Sequence, residues 1–159
     1  MNIRVGFGYD VHQLKEGKEL WLGGIKIEHT KGTVAHSDGD VLIHALCDAL
    51  LGAANLGDIG KYFPDTSEEF KNIDSKILLK KVISLIYEKG YSIGNIDCTV
   101  CLQRPKIGPH ITRMLQTLAS VMNITENVIS IKATTTEKLG FVGREEGIST
   151  YAVVLICNN

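Results

Sequence analysis

The sequence has few aromatic residues, almost no net charge and no long apolar segment. Aromatic residues make up 6% of its 159 residues, and 17 basic against 18 acidic side chains leave a formal charge of −1. Without a general positive field, nucleic acid is not expected as a partner. No apolar run approaches the roughly 20 residues of a membrane helix. We therefore expect no membrane span, and the alternating start of the chain does not predict an export signal.

The sequence also lacks a regular cysteine framework. Its four cysteines lie at irregular intervals in apolar segments, which predicts buried thiols in a reducing compartment. Cys98 and Cys101 form a C-x-x-C pair, but residues three apart on a strand point to opposite faces. We therefore expect these two thiols to pack, and to be a poor metal or redox pair.

The length predicts one domain, 1–159, because domains average about 150 residues. A hydrophobic content of 44% is enough for a core. Strands and helices are predicted in alternation, as an α+β fold. The predicted elements are a strand at 3–9, a hairpin at 19–28, a very apolar helix from Asp38 or Asp40 to Gly57, a loop at 56–70, a helix from Asp74 to Gly90, a strand at 91–102, a helix from Pro109, and strands at 128–133 and 149–157.

Asp10, His12 and His44 are candidate metal ligands. Asp10 and His12 are two apart on the first strand, so both side chains leave the same face. His44 lies in the apolar helix, and the three together allow a Zn²⁺ site with one open position. Asp48, one turn after His44, is a candidate outer partner of that site. The alternative is that His12 caps a loop and His44 is a hydrogen-bonded core histidine.

Two polar segments are candidates for binding an anion. Residues 36–40, His-Ser-Asp-Gly-Asp, precede a helix whose free backbone N–H groups suit a negatively charged ligand, although plain helix capping explains them equally well. Residues 134–138, Thr-Thr-Thr-Glu-Lys, can bind phosphate, with Glu137 holding Mg²⁺ against it. An ordinary capped turn is the alternative there. The same ambiguity applies to residues 58–60 and 63–67.

Several separated segments together resemble one family, the 2-C-methyl-D-erythritol 2,4-cyclodiphosphate synthases. The resemblance covers nearly the whole chain, and the spaced combination is far more specific than any one segment. The segments that carry it are GYDVH at 8–12, AHSDGD at 35–40 with His44, LGDIG at 56–60, FPDT at 63–66 and KATTTEKLGF at 132–141.

The resemblance implies a ferredoxin-like α/β sandwich, with a mixed sheet and helices on one face, assembled as a homotrimer with active sites between subunits. It also implies conversion of 4-diphosphocytidyl-2-C-methyl-D-erythritol 2-phosphate to 2-C-methyl-D-erythritol 2,4-cyclodiphosphate and CMP. The compartment expected is a bacterial cytoplasm, or a plastid stroma after removal of a transit peptide.

Residue roles follow from the same resemblance. Asp10, His12 and His44 match Zn²⁺ ligands, Glu137 matches the ligand of Mg²⁺ or Mn²⁺, and His36 and Thr135 match positions that stabilise the transition state. The matching substrate contacts are Ser37, Asp58, Ile59, Gly60, Phe63, Pro64, Asp65, Thr66, Ser67, Leu102, Gln103, Arg104, Pro105, Lys106, Ile107, Gly108, Thr134, Thr136, Phe141 and Arg144.

The chain departs from the family pattern at a few positions. Glu145 follows Arg144 where a small residue is usual, and Leu102 and Arg104 are bulkier than is usual in the cytidine loop. Two other functions remain open on the residues alone. One is a metal phosphohydrolase, which would use water and leave an open phosphate. The other is a trimeric protein that binds the diphosphate without turnover.

Overall fold

The computed structural model describes residues 2–158 and confirms the α+β fold. Met1 and Asn159, the ends of the predicted domain, lie outside the described residues. The strands are β1 (Asn2–Glu16), β2 (Leu20–Leu22), β3 (Ile25–Ile27), β4 (Lys31–Thr33), β5 (Ser92–Cys101), β6 (Ile129–Thr134) and β7 (Gly147–Asn158). The α-helices are α1 (Val41–Ala53), α2 (Ile59–Tyr62), α3 (Ser75–Glu88), α4 (Ile111–Met122) and α5 (Gly140–Gly143).

The main sheet is mixed and has the order β4-β1-β7-β5-β6. β7 runs antiparallel to both β1 and β5, whereas β5 and β6 are parallel. β2 and β3 form a separate hairpin. α1 packs on β1 and β7, α3 packs on α1, and α4 contacts α3 and β6. This is the sandwich with helices on one face of the sheet that the family resemblance implies.

α1 is the central element of the core, as its apolar sequence predicts. Ten of its thirteen residues are buried. Asp40 caps it by accepting the Ile43 N–H at 3.0 Å, and the same buried carboxylate accepts the N–H groups of Gly23 and Gly24 at 3.0 and 2.6 Å. Burial raises the pKa of Asp40, and these backbone donors oppose that rise. Within residues 2–158 no helix, α1 included, has both the length and the apolar character to cross a membrane.

β1 differs from the predicted strand in its length and in the direction of its apolar side chains. It continues past Tyr9 to Glu16. Ile3, Val5 and Phe7 point away from the helices and are 55%, 66% and 61% exposed, whereas Gly6 and Gly8 are buried. The apolar alternation therefore marks a strand correctly but does not mark the face that packs on the helices.

Two glycines of β1 let the backbone of α1 approach the sheet closely. A Cβ atom added to Gly6 would lie 1.8 Å from the carbonyl oxygen of Ala49, and one added to Gly8 would lie 1.9 Å from that of Ala45. Both alanines are fully buried. Small residues on both elements thus replace the usual layer of large side chains between this strand and this helix.

The loops show smaller differences from the prediction. α1 ends at Ala53 rather than at Gly57, because the chain turns at Asn55 with a φ of 57°. The loop predicted at 56–70 contains α2, and the connection after β6 contains α5. α3 begins at Ser75, one residue after the predicted start at Asp74, because Asp74 is its cap and accepts the Lys76 N–H. A 3₁₀ turn around Pro109 precedes α4.

The prediction of buried thiols holds for two cysteines. Cys47 and Cys98 are buried, whereas Cys101 and Cys157 are half-buried. On β5, Cys98 faces the helices and Cys101 faces the opposite side, as their spacing predicts. Burial raises the pKa of the Cys98 thiol to about 12, so this thiol stays protonated.

We expect Gly6→Ala to destabilise the fold. The added methyl group would meet helix backbone, which cannot rotate away. The free energy of unfolding should therefore fall by about 1–3 kcal/mol or more, the usual cost of overpacking. Urea unfolding followed by circular dichroism measures this change.

Gly52→Ala is the matched control, because Gly52 lies in α1 and a Cβ atom there meets nothing within 4 Å. This variant should be more stable by about 0.4–1 kcal/mol. Equal stability of Gly6→Ala and wild type would contradict the close approach of α1 to β1.

Candidate active site

Asp10, His12 and His44 converge, as predicted, between β1 and α1. His44 Nδ1 lies 3.1 Å from Asp10 Oδ2 and 3.2 Å from His12 Nε2, and His12 Nε2 lies 3.1 Å from the same carboxylate oxygen. Ligands on a tetrahedral zinc with bonds of about 2.0 Å are about 3.3 Å apart. The three atoms therefore form one face of a tetrahedron that fits a metal ion, with the fourth position left open.

The protons of this cluster compete with such an ion. Burial by itself would raise the pKa of Asp10, but hydrogen bonds from both imidazoles and their charge lower it to about 2. Burial would lower the pKa of His44, yet the hydrogen bond and charge of Asp10 raise it above its usual value. The lowered pKa of Asp10 and the raised pKa of His44 both show that the Asp10 carboxylate attracts positive charge.

The other edge of the His44 ring contacts two hydroxyl groups. Its Nε2 lies 2.9 Å from Ser75 Oγ and 3.2 Å from Ser37 Oγ. Ser37 was predicted as a substrate contact, whereas Ser75 was not identified from the sequence. Ser75 opens α3, 31 positions after His44, and a serine at the start of a helix gives no signal of a tertiary partner.

Asp48 was predicted as an outer partner of the metal site, but it makes no hydrogen bond to His44, whose two ring nitrogens contact other groups. Its carboxylate accepts the Ile59 N–H at 2.7 Å and thereby fixes the start of α2. Asp48 lies one turn from His44 on the same face of α1, but its carboxylate binds the backbone donor of α2 instead. Asp48 supports the loop that leads into the site.

A cavity of about 610 Å³ opens beside His12 and His44. The predicted residues His36, Ser37, Ile59, Gly60, Phe63, Pro64, Asp65 and Thr66 line it. His36 is held in place because its Nε2 lies 2.9 Å from the Ser67 carbonyl oxygen, to which it donates. Segments that are separate in the sequence, 36–37 and 59–66, thus form the walls of one pocket around the metal ligands.

Asp58 and Ser67 do not line this cavity, although both were predicted to contact the substrate. The side chain of Asp58 caps α2 by accepting the Lys61 N–H at 3.0 Å. That of Ser67 accepts the Glu69 N–H at 3.3 Å. In this structure both side chains stabilise the turns at the edge of the cavity.

A second, smaller cavity of about 260 Å³ lies at the end of β6. Its lining includes the predicted residues Leu102, Pro105, Lys106, Ile107, Gly108, Thr134 and Thr135. The Leu102 N–H donates to the Thr134 carbonyl oxygen at 3.0 Å, which ties this loop to β6. The two predicted nucleotide segments therefore meet, as expected, in one place.

Glu137 lies on a tight turn beside this second cavity. Its φ is 53° and that of Lys138 is 65°, so two consecutive side-chain-bearing residues are left-handed, each costing roughly 1–2 kcal/mol. Thr135 Oγ1 donates to Glu137 Oε1 at 3.1 Å. Thr135 Oγ1 also accepts the Glu137 N–H at 3.4 Å, and α5 begins three residues later at Gly140, so the local structure agrees with the alternative of an ordinary capped turn.

Thr136 and Phe141, two of the remaining predicted substrate residues, contact other parts of the chain. Thr136 Oγ1 donates to the Leu139 carbonyl oxygen at 2.6 Å, and Phe141 packs beside Gly147. Among the described residues, Oε1 of Gln103 is buried without a hydrogen-bond partner.

The charged residues that depart from the family pattern contact one another. Arg144 pairs with Glu146 through two contacts of 3.0 Å, which leaves Glu145 free for another partner. Glu145 Oε1 lies 3.6 Å from Arg104 Nε. Because Arg104 is exposed, this pair contributes little to stability.

The two cavities are separate within one chain. The metal ligands of the sheet are on β1, whereas Thr134 ends β6, and β7 and β5 lie between these strands. Three strand spacings correspond to about 14 Å. A single chain therefore does not bring His36 and Thr135 together, although both were predicted to act on one reaction.

Comparisons with known proteins agree on one family. The sequence model of the YgbB family matches residues 3–157. A relative from Bacteroides thetaiotaomicron is 69% identical over 156 residues, 98% of each chain, and one from Cytophaga hutchinsonii is 60% identical over 156 residues, again 98% of each chain. Both relatives are named 2-C-methyl-D-erythritol 2,4-cyclodiphosphate synthase.

Solved structures share the fold along the whole chain. The bifunctional IspDF of Campylobacter jejuni has a TM-score of 0.94 at 46% identity; the match covers 98% of this chain and 42% of that protein. IspF of Plasmodium falciparum, described as a CDP complex, has a TM-score of 0.88 at 40% identity, with 99% and 98% covered.

We expect one divalent metal ion per chain, bound with an affinity that falls as the pH is lowered. Protons compete for Nδ1 of His44, and because Asp10 raises the pKa of this ring, the loss begins above the usual imidazole value of about 6.5. Competition between protein and a chelator for Zn²⁺ across a pH series measures this.

His44→Ala should abolish this binding, while His29→Ala, in the loop between β3 and β4, should leave it unchanged. Retention of the ion by His44→Ala would show that the cluster is not the binding site.

Proposed function

Since the chain belongs to the YgbB family, we propose that it is a 2-C-methyl-D-erythritol 2,4-cyclodiphosphate synthase of the non-mevalonate route to isoprenoid precursors. Its substrate is 4-diphosphocytidyl-2-C-methyl-D-erythritol 2-phosphate. The shared name of relatives aligned over nearly their full length supports this function. The observation that carries it is the Asp10, His12 and His44 cluster opening onto a cavity lined by His36 and Ser37.

The reaction makes one phosphorus–oxygen bond and breaks another. An oxygen of the 2-phosphate bonds to the β-phosphorus, and the bond from that phosphorus to the oxygen bridging to the α-phosphorus breaks. CMP leaves with this oxygen, and the ring closes without water, as in a phosphorus–oxygen lyase. Such a transfer needs two anions to be aligned and their charge to be neutralised.

The residues around the first cavity are suited to hold the reacting phosphates. Ser37 Oγ accepts the Gly39 N–H at 3.2 Å, which leaves its own proton for a phosphate oxygen. The His36 ring is fixed by the Ser67 carbonyl at the cavity wall, where we assign it to stabilise the transition state. We assign residues 59–60 and 63–66, which line the same cavity, to the methylerythritol portion.

The donor sets fit the metals that the family resemblance implies. When bound, Zn²⁺ on Asp10, His12 and His44, and Mg²⁺ or Mn²⁺ on Glu137 and the phosphates, supply the charge that aligns the reacting groups and stabilises the leaving CMP. Two neutral imidazoles and one carboxylate leave a net positive charge on the first site. Glu137 offers a single carboxylate, so its ion needs phosphate oxygens as further ligands.

The second cavity is the proposed site for the cytidine diphosphate. The loop 102–108 supplies backbone groups for the base and sugar, and Thr134 and Thr135 face the phosphates from the end of β6. The CDP complex of the Plasmodium falciparum relative supports this class of ligand. We assign Thr135, like His36, to stabilise the transition state. Phe141 and Arg144 are the proposed outer contacts of the substrate.

A complete site requires two chains, and we propose a homotrimer. The outer face of β1 and β7 carries a continuous apolar surface: Phe7 pairs with Val153, and Tyr9 pairs with Tyr151 at a ring distance of 5.1 Å. Side chains on this surface are 40–66% exposed in one chain. A contiguous apolar patch marks a protein interface, and other copies of this chain are its occupants. We place the assembled enzyme in the cytoplasm.

We expect the purified protein, with Zn²⁺ and Mg²⁺, to convert the substrate to the cyclic diphosphate and CMP. Glu137→Ala should slow this conversion by about 10²-fold or more, because it removes the protein ligand of the second ion. A ³¹P NMR time course follows both the bond made and the bond broken.

Glu126→Ala is the control, since it removes an exposed carboxylate from a distant turn. An open phosphate containing oxygen from labelled water would identify a hydrolase instead. Ligand-dependent stabilisation without turnover would identify a binding protein.

A site shared between chains predicts complementation between two inactive variants. His44→Ala impairs the metal half and Glu137→Ala the nucleotide half. A cyclic trimer that contains both variants joins one intact metal half to one intact nucleotide half, so mixed trimers should regain about a third of the wild-type sites. Activity of doubly tagged, purified mixed trimers measures this recovery.

The matched control combines His44→Ala with His12→Ala, which impair the same half and cannot complement each other. Mixed trimers of the first pair that remain as inactive as this control would show that each site lies within one chain.

A further inference from the structure

His44 is held from the side opposite to the metal ligands by a short chain of hydrogen bonds. Its Nε2 lies 2.9 Å from Ser75 Oγ, which lies 2.5 Å from Asp38 Oδ1. The Ser75 N–H also donates to Asp38 Oδ2 at 2.9 Å. Ser75 is fully buried, so water does not replace any of these partners.

The protons of this chain can be placed by counting donors and acceptors. A serine hydroxyl has one proton, and an ionised carboxylate only accepts. The Ser75 proton therefore points to Asp38, and Ser75 Oγ must accept from the ring. The ring proton of a neutral His44 is then on Nε2, and Nδ1 is left with a free electron pair directed at Asp10 and His12.

We propose that Ser75 and Asp38 are positioning residues for His44, which fix its ring proton on Nε2 and so present Nδ1 to a metal ion. This inference rests on the proposed metal site. It assigns Asp38 a role other than the helix capping expected from the sequence, since Asp40 caps α1 and Asp74 caps α3. It also gives Ser75 a function that its place in the sequence does not indicate.

Only a carboxylate at position 38 satisfies this arrangement. Ser75 directs two donors, its N–H and its O–H, at the two oxygens of Asp38. An asparagine of the same shape would place its NH₂ group against one of these donors. Either the backbone contact is lost, or the serine proton turns toward the ring proton of His44.

A contact between the loop before α1 and the loop before α3 sets the positions of Asp38 and Ser75. The Asp38 N–H donates to the Ile73 carbonyl oxygen at 3.1 Å, two residues before Ser75. Asp74 then caps α3 and fixes its first residue. Ser37 also approaches His44 Nε2, but at 3.2 Å, so Ser75 is the nearer acceptor.

The test compares Asp38→Asn and Ser75→Ala with two controls. Asp74→Asn makes the same chemical change on a neighbouring residue and keeps a good helix cap. Ser84→Ala removes an exposed hydroxyl from the same helix, which bonds only to the Lys80 carbonyl. Thermal unfolding of each metal-free variant establishes that it is folded.

Two measurements are made on each folded variant. Competition with a chelator should show Zn²⁺ affinity about 10–100-fold weaker in Asp38→Asn and Ser75→Ala, the usual effect of removing such a partner, and unchanged in both controls. In ¹H–¹⁵N spectra of the zinc-loaded proteins, the His44 Nε2–H signal should exchange slowly with water in wild type and rapidly in the two variants.

Several outcomes would overturn the assignment. Zinc affinity within twofold of wild type in folded Asp38→Asn would do so, and so would an Nε2–H signal that remains protected in folded Ser75→Ala. Neither measurement needs substrate, so failure of the proposed synthase reaction is recognised separately, by ³¹P NMR of the wild-type protein.

Discussion

The close contact between α1 and β1 is the constraint on which the site depends. Where Gly6 and Gly8 face the helix, backbone meets backbone without intervening side chains. Asp10 follows two residues further along the strand, on the same face, and His44 precedes Ala45 on the helix. Their side chains therefore meet at 3.1 Å. A bulkier packing layer would separate the strand ligands from the helix ligand by more than a metal ion can span.

Much of the fold and of the metal site can be predicted from the sequence, because the relevant patterns are local. The two-residue spacing of Asp10 and His12 places both on one face of a strand, and the apolar run around His44 predicts a central helix. Other features depend on which elements meet in space. Nothing near Ser75 indicates that its hydroxyl reaches His44, and nothing near Asp48 shows that the Ile59 N–H takes its carboxylate. The sequence equally does not show which face of the sheet the side chains of Val5 and Phe7 occupy, because alternation predicts a strand but not the face that the helices cover.

The order of strands explains why the predicted residues divide into two groups. His36 and the metal ligands lie near β1 and α1, whereas Thr135 and Glu137 follow β6 at the edge of the sheet. Each group is internally well organised, with a cavity, backbone donors and fixed side chains. Residues grouped by their resemblance to a family can therefore be distant within a chain, and in the proposed trimer a second copy would supply the other half of the site.

The two faces of β1 have different roles. Its even-numbered positions, from Gly6 to His12, face the helices and supply the close contact and two metal ligands, while its odd-numbered positions form the apolar outer surface. In the proposed assembly both faces are covered, so this segment has no side that is free to vary. An ordinary surface strand accepts polar replacements at every second residue, but here each replacement meets either the helix or a neighbouring copy. We therefore expect the stretch from Val5 to His12 to change more slowly in evolution than an ordinary surface strand.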